Sequence, residues 1–186
     1  MTITRMGLAL ATVFGLAGCG ADAIRFAVPD VTSNERIPVS VRTVEVREVS
    51  LPTYAQSEEI WRETEDGALV SDPEVLWADA PSRGVTQELT RQLAALTGRQ
   101  VAAEPWPYLD SAEARLEVRL DEMIAGADGR FRISGQYFTA SDSGNRDRFG
   151  TFKLWAPIEG EGTPAIAAAR ANAVKELARQ IAKDGL

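Results

Sequence analysis

Few residues in this 186-residue chain can do covalent chemistry. There is no histidine, which removes the usual general base, the Ser-His and Cys-His nucleophile pairs and the commonest zinc ligand. There is one cysteine, Cys19, so no disulfide can form within the chain. Cys19 closes the run Leu16-Ala17-Gly18-Cys19, after an apolar stretch from Met6 to Leu16 and a short start carrying Arg5. A positive start, an apolar middle and small residues before a cut form the layout of a secretory signal. The apolar run is well short of the ~20 residues that a membrane span needs. A thiol at such a cut can form a thioether, a bond that resists hydrolysis.

The other candidates are oxygen groups. Glu58-Glu59 and Glu63-Thr64-Glu65-Asp66 bring carboxylates together in pairs. Paired acids can serve sugar hydrolysis, but a solvated rim is the usual meaning of such a run. Asp142, Asn145 and Asp147 share a loop with Ser141, Ser143 and Gly144. It lacks the spacing and closing glutamate of a calcium loop, so it reads as a solvated hairpin loop. Gly126-Ala127-Asp128-Gly129 joins two strands and reads as a turn, since a phosphate cradle would lead into a helix. Of the four tryptophans, Trp61, Trp77, Trp106 and Trp155, packing is the default role. Trp77, Trp106 and Trp155 are the candidates for anchoring a protein partner.

Leu16-Ala17-Gly18-Cys19 resembles the lipobox of bacterial lipoproteins. That resemblance implies removal of residues 1–18 as a signal peptide, a diacylglycerol on Cys19 and a further acyl group, such as palmitate, on the new amine. Stable anchoring takes two membrane signals, and two or three acyl chains would supply them. Gly20 follows, where in lipoproteins of two-membrane bacteria an aspartate favours the inner membrane; by that resemblance the chain faces the periplasm from the outer membrane. Arg5 is the only charge ahead of Cys19, which leaves 19 Lys and Arg against 27 Asp and Glu, a net −8. That balance argues against nucleic acid, whose phosphates call for clustered cations, and against a polybasic membrane patch. An acidic body on a leash is expected to stand off an anionic bilayer.

Residues 19–37 read as this acylated start and a tether, with Pro29 and the polar run Thr32 to Arg36. A single domain is expected over 38–186. Val39 to Val46 alternates as a half-buried strand with a slip at Thr43-Val44. Short strands fit Gln56 to Thr64 and Ala68 to Val70, and Pro73 to Asp79 runs into a helix. The helix spans Pro81 to Thr97, with Val85, Leu89, Leu93 and Leu96 on its stripe, Asp79 or Ser82 as its cap and Gly98 at its end. Gln87, Glu88, Arg91 and Gln92 lie off that stripe, facing water or a partner. After a weak strand, Gln100 to Ala103, the clearest hairpin runs from Leu116-Glu117-Val118-Arg119-Leu120 to Phe131, Ile133, Tyr137 and Thr139. A strand from Phe149 to Trp155 follows. Thr163-Pro164 opens an alanine-rich helix closed by Gly185. This order predicts an α+β two-layer sandwich, a mostly antiparallel sheet with two helices on one face and Glu117, Arg119, Asp121, Arg130 and Arg132 on the other.

The whole order resembles the ABC-type transport auxiliary lipoproteins, the PqiC-like family (paraquat-inducible protein C). The resemblance rests on the lipobox, the valine-rich strand followed by Leu51-Pro52, Leu76-Trp77-Ala78-Asp79 before the first helix, the long hairpin and the C-terminal alanine-rich helix. Asp79 stands where glutamate is commoner, and Ala80-Pro81 interrupts the approach to the helix. The resemblance implies a non-enzymatic protein without a cofactor. Its partners would be an inner-membrane ABC permease and ATPase and a mammalian-cell-entry (MCE) domain protein bridging the periplasm. It would act by docking, in some members as a homo-oligomeric ring, in lipid transport and envelope integrity. Two rivals stand beside it: a freestanding envelope lipoprotein binding a small apolar ligand or another periplasmic protein, and a lipid-anchored hydrolase using carboxylates.

Overall fold

The computed structural model describes residues 23–31, 33–141 and 147–186. Cys19, the 1–18 segment, Asp142 and Asn145 lie outside the described residues. In chain order the elements are β1 (Ile24–Phe26), β2 (Thr43–Val46), a 3-10 turn (Thr53–Gln56), β3 (Arg62–Glu63), β4 (Leu69–Val70) and β5 (Val75–Trp77). There follow α1 (Pro81–Thr97), β6 (Gln100–Ala103), β7 (Ala114–Ala125), β8 (Arg130–Ser141), β9 (Arg148–Pro157), α2 (Gly162–Gln180) and a π turn (Ile181–Gly185).

β7 is the strand on which the sheet is assembled. One of its edges pairs antiparallel with β8 from end to end, and β8 pairs antiparallel with β9. Its other edge is shared in sequence by β2, by a bridge from Ser50 to Arg119 and by β3 at Ala125, all parallel. β6 extends β2, again parallel. The expected α+β sandwich is present, but its sheet is mixed. Alternation in a sequence reports which face a side chain takes and not which way its neighbour runs. The crossover through α1 is what makes β2 and β6 parallel.

Leu116, Val118 and Leu120 face the helices, and two residues further on that phase would bury Glu122. A bulge prevents it. The register shifts between Leu120 and Glu122, Asp121 becomes the extra residue, and Met123 and Ala125 enter the core instead. Gly135 lies opposite, where a side chain would overlap the Arg119 carbonyl oxygen.

Both helices lie on this face and touch each other. The α1 stripe of Val85, Leu89, Leu93 and Leu96 is fully buried, and Ile166, Ala173, Val174 and Leu177 of α2 join it. α1 has the expected bounds. Gly98 takes the left-handed conformation after it and donates to the Ala94 carbonyl. Its start differs: Ala80 is the cap residue, and no side chain of Asp79 or Ser82 caps a backbone amide of the first turn. Asp79 instead accepts from the Ala80 amide and from Arg83. Likewise Thr163 does not cap α2 but accepts from the Arg62 guanidinium at 3.0 Å.

The larger difference lies at the N-terminal side. Residues expected as tether are docked from Ile24 onward. β1 pairs parallel with β5, Gln92 donates to the Val31 carbonyl at 2.6 Å, Glu35 binds Arg179 at 2.8 Å, and Ile37 is buried with its amide on the Leu96 carbonyl. A strand of three residues between Ala23 and Ala27 carries no period to read.

Candidate functional site

The two ends of β7 carry different groups. Beyond Ala125 lie the Gly126–Gly129 turn, the β3–β4 hairpin and, across the sheet, Trp155, which is aligned through Arg132 with Ile124. Ile24 belongs to this end as well, being paired with Val75, which accepts from Ile60 two residues before β3. Ile24, Leu69, Val70 and Trp155 are large apolar side chains left 40–60% exposed there. At the opposite end, before Ala114, lie Trp106, Tyr108 and Leu109, and Phe149 sits across from Phe138.

The three tryptophans singled out from the sequence fall in three environments. Trp77 is buried and cannot touch a partner. Trp106 is half-buried: its ring N–H donates to the Asp110 carbonyl at 2.7 Å, its amide to Glu45 at 3.2 Å, and its ring meets Tyr108 edge-on at 5.0 Å. Trp155 is half-exposed, with the Arg130 guanidinium 4.3 Å from its ring centre. The structure does not bring them together.

The paired carboxylates are engaged separately. Glu58 binds Arg25 at 2.8 Å, Glu59 accepts from the Ser71 hydroxyl at 2.7 Å, and Glu63 binds Arg132 at 2.9 Å. The Arg132 hydrogen bond holds the Glu63 carboxyl below its ordinary range. Asp66, hydrogen-bonded by Thr64, is lowered too. None of this is the facing pair with raised proton affinity that glycoside hydrolysis uses. Among the described residues no cluster of three His, Cys, Asp or Glu side chains could hold a metal ion.

One polar site was hidden in the sequence. Glu88 of α1 and Arg170 of α2 meet at 2.7 Å, with Arg170 only 1% exposed. The guanidinium stacks 4.5 Å from the Trp77 ring centre, and Gly84 leaves the space through which it passes. Arg170 Nε and Nη1 and Glu88 Oε2 have no protein partner. Burial pushes the Glu88 carboxyl up, against the opposing pull of Arg170. The pair borders a cleft of about 190 Å³ lined by Phe26, Val28, Trp77, Gly84, Gln87 and Arg91. Glu88 reads as a water-facing position because α1 shows only one apolar stripe, yet α2 and the docked N-terminal segment cover its flank. A signal existed for Arg170. It falls on the stripe Ile166, Ala173, Leu177, a charge among alanines at a core position.

The sequence model of the ABC-type transport auxiliary lipoprotein component matches residues 24–182. The chain belongs to this family. Its match begins at the first residue of β1, so the auxiliary domain includes residues 24–37 of the segment expected as tether. A search of curated proteins finds no match. Among solved structures, an uncharacterised protein is similar, with 20% identity and a TM-score of 0.67, over 80% of this chain and 97% of that one. A Xanthomonas campestris protein of the DUF330 family is similar, with 18% identity and a TM-score of 0.68, over 85% of this chain and 92% of that one. These show that the auxiliary domain shares their fold. A PelC dodecamer from Paraburkholderia phytofirmans aligns with 14% identity and a TM-score of 0.44, over 82% and 96%. It is too distant to bear on the assembly of this chain. No helix among the described residues is long and apolar enough to cross a membrane.

Proposed function

We propose that this auxiliary lipoprotein is held by acylated Cys19 on the periplasmic side of the outer membrane. There it serves an ABC-type intermembrane lipid transport system by docking rather than by catalysis. The observation that carries this reading is the family match over 24–182 standing directly behind a lipobox. Its partner would be a periplasm-bridging MCE-domain protein, with energy supplied by the ATPase of the inner membrane. A homo-oligomeric ring is the receiving form this reading expects. Trp106 and Trp155 are accessible for such contacts, whereas Trp77 is not.

The cleft beside Arg170 is a poor store for a lipid, and the roomier groove of about 510 Å³ between Glu48–Leu51 and Ala80–Ser82 lies open to solvent. Ligand pockets hold roughly 300–1,000 Å³, and the cleft beside Arg170 offers about 190 Å³ with charged walls. The decisive experiment is Cys19→Ser in the native host, read by membrane fractionation, N-terminal mass spectrometry and co-purification of an MCE-domain protein. The variant is expected to fold, leave the membrane and lose complementation. Full activity of an unanchored serine variant would overturn the reading, as would a freestanding monomer with no MCE partner.

A further inference from the structure

The chain outside the described domain is short on the side of the anchor. Only Gly20, Ala21, Asp22 and Ala23 separate Cys19 from Ile24, and Ile24 is fixed by its pairing with Val75 and by its amide on the Glu74 carbonyl at 2.7 Å. Five steps of fully extended chain reach at most about 18 Å. The domain cannot stand off on a long flexible tether, because everything from Ile24 onward moves with it.

The point at which the described chain begins is set too. β1 runs parallel to β5, so the chain preceding Ile24 emerges past Glu74, at the end of the molecule that carries the β3–β4 hairpin. Leu69 and Val70 are 40% and 46% exposed on that hairpin and Ile24 is 60% exposed. Val70 and Val75 share one shallow depression, and Val75 is the partner of Ile24, which ties Val70 to the entry point. Leu69, next to it in the strand, faces the other side of the same hairpin edge. We infer that this corner, Ile24, Leu69 and Val70, is the surface that rests on the bilayer holding the acyl chains of Cys19.

The inference depends on the acylation proposed above and adds which face meets lipid. Glu65, Asp66, Asp72 and Glu74 are exposed around the corner and outnumber its exposed cations, Arg25 and Arg62. An anionic surface would repel these carboxylates, so the lipid it fits has a zwitterionic headgroup. Three partly exposed side chains bring modest apolar area, and the leash supplies the high local concentration that makes the contact persist.

The test uses full-length acylated protein in phosphatidylcholine vesicles carrying a doxyl-labelled lipid. With Cys19 acylated, an introduced cysteine is the single reactive thiol. Leu69→Cys and Val70→Cys, each labelled with an environment-sensitive fluorophore, are expected to show blue-shifted emission and quenching by the doxyl group. Leu109→Cys and Phe149→Cys, at the other end of β7, are expected to show neither. Circular dichroism and mass spectrometry confirm fold and acylation. Equal quenching at both ends, or none at Leu69 and Val70 on acylated protein, overturns the inference alone. An unacylated Cys19 on native protein overturns it together with the anchor.

Discussion

Two arginines hold this domain together in opposite ways. Arg170 is sealed between α1 and α2, bonded to one oxygen of Glu88 and stacked on Trp77. Arg132 sits on the outer face of β8 with Glu63, Glu122 and Asp128 around it, its side chain 22% exposed. It donates hydrogen bonds to Glu63 and Glu122, which hold its proton more tightly than usual. The buried pair keeps almost no exposed surface and each member has the other as its charged partner. The outer network keeps partial hydration and divides its charge among three. What differs is the consequence of losing a partner, because a stranded charge is expensive only where water cannot replace it.

The largest expected effect is therefore Glu88→Ala. It strands Arg170 and is predicted to destabilise the domain by about 3–5 kcal/mol in urea unfolding. The double variant Glu88→Met with Arg170→Met sharpens the point. An apolar pair of similar volume is expected to recover most of that loss, since pair replacement is often neutral or better. Failure to recover would show that the pair is needed for its geometry against Trp77. Next comes Arg132→Ala, which releases three carboxylates at the surface and should lower stability by roughly 1 kcal/mol, less in high salt.

The smallest effect separates the two sites by pH. Glu63 is lowered by Arg132, so its contribution is present above the unfolded-state value near 4.5 and is lost as the pH falls through its folded value. Glu88 is raised by burial, so its contribution runs the other way: it is complete below about 4.5 and is lost as the pH rises through its folded value. Wild type measured against Glu88→Gln should gain relative stability as the pH is lowered toward 4.5. Against Glu63→Gln it should lose relative stability on further acidification. Chemical denaturation across that window checks both signs, and a gap that does not move with pH contradicts them.

The elements that could be read from sequence were those with a period and punctuation. α1 shows four apolar residues on one stripe, Pro81 at its first position and Gly98 after its end, and it forms where expected. The β7–β8 hairpin alternates around a glycine-bearing turn and forms as expected. Long-range choices were not written locally. Pairing direction depends on how the crossover returns, so the parallel half of the sheet was missed. β1 is too short to show a pattern and exists because β5 offers it an edge. From the sequence, Trp77 is named with Trp106 and Trp155 as a candidate for partner contact. Its burial follows from Arg170, ninety-three positions away in the sequence, lying over its ring.

The length of β7 has a consequence for access. Twelve residues at strand spacing measure about 40 Å. Held by its Ile24 corner, the molecule would stand upright, and Trp106 and Leu109 would be presented that far above the headgroups. A conduit descending from the opposite membrane could then be received at a fixed height, without having to sink into the leaflet it serves.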